Sequence, residues 1–485
     1  MENRVVKRVL SRRHLLAGMG LAGTAGALAA CGATPTPQVV EKVITQVVAG
    51  TPQIVKETVE VEKVATQVVE KEVVVTATPA PKGAVKLVFF VWMAPEQQPQ
   101  VQAIFDAFTK ENPNITIELQ QAPGSEADKF QKVLLMIAAG TPPDFTMGSS
   151  EAPGYAGRGI LVELDPYIEA SKVDLSVFNQ AILKSYLQYQ GKQIVLPVVA
   201  SAELLTYNPE LFDKAGLSYP SEKWGDSKWD WATFLDAAKK LTVEANGKVN
   251  VFGVTSILYY MYAVRWWGAR WANDDVTKIT ADTAEMAQGI QDIADLTVKY
   301  HVSPRAQEWE MFGDADPLLS GKAGMQDMGL WSLATYAAAT SPWACAAWPV
   351  VKDPLAFFYP MGFYMFKGSK NQDEAWKFME FMCRPENNLK WAQAVSRMPA
   401  MPQNGAEWLK YFEAKQPNAR MHVITDLLNY EKATTAEPFM VHPKYTEILT
   451  KAITPALDPV WSGEKTAKEV LPDLQKQIED LLKAE

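Results

Sequence analysis

Cysteine and histidine are scarce in this chain of 485 residues, at three and four respectively. Three thiols cannot build a disulfide framework. Once Cys31 is set aside, Cys345 and Cys383 could pair or could equally be buried free thiols. His14 falls in the N-terminal segment, and His301, His422 and His442 lack the spacing of metal ligands. Positive charge is not in excess: the formal net charge is −9, which argues against nucleic acid, whose partners carry a basic face. No apolar run reaches the ~18 residues of a membrane span. Also missing are a Gly-x-Ser-x-Gly elbow, a phosphate-cradling glycine-rich loop and a His-Glu-x-x-His helix. The chain is therefore expected not to be an enzyme and to need no cofactor or metal. Paired carboxylates for glycoside chemistry stay open, because their separation is a three-dimensional fact.

What is present begins at the N-terminus. Arg4, Lys7, Arg8, Arg12 and Arg13 form a basic region containing Ser11-Arg12-Arg13-His14-Leu15-Leu16, a twin-arginine pattern. A short Gly/Ala-rich apolar stretch follows, and then Leu28-Ala29-Ala30-Cys31. Small residues before a cysteine let a signal peptidase approach the backbone. Residues 1–30 thus read as a signal peptide with a bacterial lipobox, and Cys31 as the lipidated first residue of the mature protein. The expectation is an extracytoplasmic protein held to the cell membrane by its lipid.

Residues 32–84 have no aromatic residue and consist of little but Val, Glu, Lys, Thr, Gln, Pro and Ala. A repeat is visible, Glu41-Lys42-Val43-Ile44-Thr45-Gln46-Val47-Val48 returning as Glu62-Lys63-Val64-Ala65-Thr66-Gln67-Val68-Val69. Such a segment cannot bury enough apolar surface to offset its ordering entropy. Residues 31–84 are expected to be a spacer, mostly extended, with valines able to pair as strands.

From about residue 85 the pattern becomes globular. Val85 to Trp92 reads as a strand; Val101, Ile104, Phe105 and Phe108 lie on one face of an amphipathic helix; Asn112-Pro113 ends it; Ile115 to Leu119 alternates as a second strand. A helix to Gly140 and a strand from Asp144 follow. This β-α-β-α-β order predicts an α/β fold with a mostly parallel sheet flanked by helices, whose ligands sit beyond the carboxyl ends of the strands.

The segments "VQAIFDAFTKENPNI", "AAGTPPDFTMGSS", "GYAGRGILVELDPYI", "GKQIVLPVVASAELLTYNPELFDKAGL", "FGDADPLLSGKAGMQDMGLWSL" and "MGFYMFKGSKNQDEAWKFMEFM" occur in this order. Together they resemble the sugar-binding group of extracellular solute-binding proteins of ABC importers, which includes the maltose-binding proteins. The resemblance covers most of residues 85–485. It implies a two-lobed periplasmic-binding-protein fold, hinge-linked, with lobe 1 at 85–199, lobe 2 at 200–349, a return to lobe 1 at 350–392, and lobe 2 with C-terminal helices at 393–485. It further implies a monomer that captures a carbohydrate between its lobes and delivers it to the transmembrane subunits of the permease.

A sugar offers flat C–H faces and a rim of hydroxyls, so its site needs aromatic rings and hydrogen-bonding side chains. By resemblance, Trp331 in Gly329-x-Trp331 faces the cleft. Trp92 ends the first strand, Glu96 and Gln97 follow it, and Ser149, Ser150 and Glu151 follow the third. Ser201 stands where maltose-binding relatives place a carboxylate, with Glu203 a possible substitute, and Gly148 stands where they place an aromatic. Both departures imply a sugar other than maltose. In Arg265-Trp266-Trp267-Gly268-Ala269-Arg270-Trp271, one tryptophan should pack in the core and Trp266 or Trp267 should look into the cleft. Tyr359 lies near the return strand, and Arg397 could bind hydroxyls or serve a structural ion pair. The alternatives are a polyol, a glycosaminoglycan fragment, a phosphorylated glycerol, ferric iron held by Tyr259-Tyr260, or a glycoside-acting enzyme.

Overall fold

In the computed structural model, residues 54–55, 73–74, 83–122, 124, 126–255, 260–435 and 437–484 are described. The twin-arginine segment, Cys31 and Tyr259 lie outside them. Within the spacer, Ile54–Val55 pairs antiparallel with Val73–Val74. Residues 81–485 cluster as a separate unit, described below.

That unit opens with strand β1 (Val85–Val91), helix α1 (Gln98–Glu111), strand β2 (Ile115–Gln121), helix α2 (Glu126–Ala138) and strand β3 (Phe145–Gly148). The predicted apolar face of α1 is the buried one, with Val101, Ile104, Phe105 and Phe108 inside. Asn112 closes the helix, its side-chain amide donating to the Phe108 carbonyl. The Gly140 turn has φ +73°, a backbone state that costs glycine nothing. β1 runs parallel to both β2 and β3.

The strands that follow are long. β4 (Leu196–Tyr207) is buried at all twelve positions. After β5 (Lys248–Thr255) and β6 (Ala323–Gly329), which pair parallel, the chain returns in β7 (Ala356–Met365). One sheet carries them in the order β2-β1-β3-β7-β4-β6-β5. In one wing β2, β1 and β3 run parallel, as do β6 and β5 in the other, whereas β7 meets both β3 and β4 antiparallel and β4 meets β6 antiparallel. The departure from parallel order falls where the chain passes between the halves of the sheet: β4 pairs β7 through residues 196–202 and β6 through 203–207. Met398–Pro399 adds a third connection against Val199 and Ala200.

The first wing is cemented by aromatic rings. Phe89, Phe145 and Phe363 from the strands pack with Phe378 and Trp391 from helices α3 (Gln372–Phe381) and α4 (Pro385–Ala394), edge to face in most pairs. Asp144 pins this wing internally. It accepts from the Val88 amide at 2.7 Å and from the Asn371 side chain at 3.1 Å. Cys345 and Cys383 are free thiols. No helix among the described residues is long and apolar enough to cross a membrane.

Candidate functional site

Residues paired directly across an antiparallel sheet point to the same face. Ser201 on β4 faces Tyr359 on β7; Glu203 faces Gly329 on β6; Leu205 faces Asp327. Ser201, Glu203, Asp327, Gly329 and Tyr359 therefore share one face of the sheet, beside the point where β4 changes partners. The hydroxyl of Tyr359 donates to Glu203 Oε2 at 2.9 Å. Tyr262 meets the Tyr359 ring edge-on at 5.0 Å.

Trp331 completes this face. It follows β6 in a short 3-10 turn, Leu330–Ser332. Its indole folds back to occupy the space where a side chain at Gly329 would stand, since a β-carbon there would lie 2.1 Å from the nearest ring atom. The ring is thereby set on the face that carries Glu203. It stays 42% exposed in a chain whose other large aromatics are mostly buried.

Two polar atoms on this face have no hydrogen-bond partner: Ser201 Oγ, on a residue only 2% exposed, and Asp327 Oδ1. Burial pushes the Glu203 carboxyl up to about 7, with the Tyr359 hydrogen bond opposing. Burial, and then the Glu203 charge, hold Asp327 well above the ordinary carboxylate range. The arrangement is an exposed aromatic surface beside carboxyl and hydroxyl groups.

The other expected residues are placed as follows. Glu96 is exposed and Trp92 half-buried against the core. Gln97 and Arg397 converge on one carbonyl, that of Val395, at 3.0 and 2.7 Å. Ser149 Oγ contacts the Tyr186 hydroxyl at 2.8 Å and donates to the Pro360 carbonyl at 2.9 Å, next to Tyr359, and Ser150 is half-buried. Glu151 is spent on the fold. It pairs with the fully buried Lys129 at 2.9 Å and accepts from the Tyr364 hydroxyl and the Ser149 amide. Burial works against its charge, but Lys129 holds its carboxyl below the ordinary value. Gly148 lies under this knot; a β-carbon there would meet Glu151 and the Tyr364 hydroxyl.

The tryptophan run departs from expectation. Trp266, Trp267 and Trp271 are all buried. Residues 264–267 form a 3-10 turn closed by Gly268 at φ +82°, so the helical register that would set Trp267 and Trp271 on one face does not exist. Trp266 donates to the Leu355 carbonyl and Trp267 to Asp292 Oδ2. Tyr260 packs on Trp461. Asp327 was not singled out from sequence. Its signal was an acid within an apolar strand, two residues before Gly329, on the alternate positions that share a face.

A separate opening of about 450 Å³ is lined by Lys184, Arg265, Arg270, Phe358, Thr434 and Glu437, among others. Glu437 lies 3.4 Å from Arg265 and 3.8 Å from Arg270, which donates to Asp274 at 2.7 Å, while Glu437 Oε1 and Arg270 Nε have no hydrogen-bond partner. The opening offers no exposed ring for stacking, so the Trp331 face is the stronger candidate.

A two-winged α/β body joined by crossing strands, with a polar and aromatic patch at the crossing, defines a binding protein of the two-lobed periplasmic class. The chain belongs to the family of bacterial extracellular solute-binding proteins, whose model matches residues 94–389. A putative binding protein of Brucella abortus is 28% identical over 370 residues, spanning 71% of this chain and 84% of that protein. An ABC substrate-binding protein of Listeria monocytogenes, solved with cycloalternan, is 23% identical and superposes with a TM-score of 0.72, covering 83% of this chain and 100% of its own. UgpB of Mycobacterium tuberculosis in complex with glycerophosphocholine is 16% identical with a TM-score of 0.68, covering 82% and 99%. The maltose/maltodextrin-binding domain of Bdellovibrio bacteriovorus bound to maltotriose is 18% identical with a TM-score of 0.66, covering 82% and 100%.

Proposed function

We propose that this protein is the solute-capturing component of an ABC importer, that its ligand is a carbohydrate, and that Cys31 anchors it by lipid to the outer side of the cell membrane. The observation that carries the reading is Trp331, an exposed indole held over Gly329 on the face of Ser201, Glu203, Asp327 and Tyr359. A ring of that kind stacks on the C–H face of a pyranose, and carboxyl and hydroxyl groups beside it take up the sugar's hydroxyls. Trp92, Glu96, Gln97, Ser150 and Arg397 are proposed to contribute from the first wing. A phosphorylated glycerol would need a cation for its phosphate, and among the described residues none is paired with the acids of this face. The sugars held by similar folds, cycloalternan and maltotriose among them, support the carbohydrate reading.

The test is a thermal-shift screen of mono- and oligosaccharides, with amino acids, glycerophosphodiesters and ferric iron alongside. A ligand that binds only the folded protein adds about 2.7 kcal/mol of stability at ~100 Kd. A shift with a sugar supports the reading. A shift with iron or an amino acid, and none with any sugar, would overturn it.

A further inference from the structure

The face beneath Trp331 carries two acids, Glu203 and Asp327, with Asp327 two residues along β6 from the Gly329 that pairs with Glu203. Their surroundings are a tyrosine pair, Tyr359 and Tyr262, the Trp331 indole, and Trp348, whose indole nitrogen donates to the Glu203 backbone carbonyl. Among the described residues no lysine, arginine or histidine is hydrogen-bonded or ion-paired to either carboxyl. Arg265 and Arg270 are committed to Glu437, and Arg397 donates to the Val395 carbonyl. What remains unsatisfied is a carboxyl oxygen, Asp327 Oδ1, and a hydroxyl, Ser201 Oγ, on a residue 2% exposed.

Buried acids without a cation are costly as a charged pair. Here burial drives both toward protonation. A neutral sugar would contribute hydroxyls and leave the two carboxyls in their protonated forms. A ligand ammonium would bring three donors and a full positive charge, and aromatic rings favour a cation placed over their faces.

We infer that the carbohydrate captured on this face carries a positively charged nitrogen, an amino sugar in its ammonium form, taken up by Asp327 and Glu203 with Ser201 beside them. The inference rests on the carbohydrate reading above and narrows it. As the ammonium docks, a proton leaves Glu203 or Asp327 for the solvent, so binding releases protons.

The experiment is calorimetric titration of the intact protein with matched series. D-glucosamine, D-galactosamine, D-mannosamine and the β-1,4-linked glucosamine disaccharide are each compared with the parent sugar and the N-acetyl form. At about pH 7, at least one amino form should bind tenfold or more tighter than both of its partners. Its binding enthalpy should change between phosphate and Tris buffers, reporting the released proton. Asp327→Asn should abolish that preference, and Glu203→Gln should weaken it. A parent or N-acetyl form that binds as tightly as its amino form would overturn the inference and leave the carbohydrate reading standing. If no amino form binds, the inference also fails, and the wider neutral-sugar panel decides the carbohydrate reading separately.

Discussion

The indole of Trp331 occupies the space that a side chain at Gly329 would need: a β-carbon built on Gly329 comes within 2.1, 2.2 and 2.3 Å of three ring atoms. A glycine two residues before an exposed tryptophan thus has a physical reason. It lets the ring fold back onto the sheet face that bears Glu203 and Asp327. Gly329→Ala should displace the ring while leaving the buried core alone. The expected result is ligand binding weakened by about tenfold, ~1.4 kcal/mol, with a melting temperature close to the parent's. Titration monitored by tryptophan fluorescence, with a thermal melt of the same sample, checks it.

The acid pair should shape the stability of the empty protein. The folded state holds protons at Glu203, whose carboxyl titrates near 7, and at Asp327, raised well above its ordinary value. The unfolded chain releases those protons at ordinary carboxylate values, so stability falls as pH rises from that range to about 7. Glu151 runs the other way: its lowered carboxyl adds stability above the ordinary glutamate value, lost as pH falls through its folded value. Urea unfolding between about pH 4 and pH 8 should show the decline toward neutrality, and Glu203→Gln with Asp327→Asn should flatten it.

Lys129 and Glu151 form a largely buried ion pair beside Gly148. Removing the cation alone strands a carboxylate inside. Lys129→Met should therefore cost ~3–5 kcal/mol, and Glu151→Gln in the same chain should recover part of it. Denaturant melts of the single and double variants measure both.

The lipid anchor is tested by metabolic labelling with a tagged fatty acid. The wild-type chain should take up label and Cys31→Ala should not. Wild-type protein that stays unlabelled would remove the anchor from the account.

Much of the fold was legible because period and punctuation agree. The four apolar positions of α1 fall on one face, Asn112-Pro113 ends it, and Gly140 supplies the positive φ that its turn requires. The antiparallel centre of the sheet was not legible, since β4 and β7 are apolar runs whose partners lie more than a hundred residues away. The site was legible in part. Gly329-x-Trp331 carries its own geometric logic. The tryptophans at 266 and 267 did not declare their direction, because a single Gly268 ends the turn and resets the register. Glu151 and Asp327 are both acids near strand ends, and the partner sets them apart: Lys129 is paired with one, and among the described residues no cation is paired with the other.

The most direct test of the central claim is calorimetric titration of Trp331→Ala with the sugar that shifts the wild-type melt, beside a melt of the same variant. Trp331 is partly exposed whereas Trp391 is fully buried, so Trp391→Ala, expected to cost ~3–5 kcal/mol of stability, serves as the contrast. Binding by Trp331→Ala should weaken by roughly 1–4 kcal/mol, with little change in melting. A Trp331→Ala protein that melts far lower yet binds the sugar normally would contradict the account.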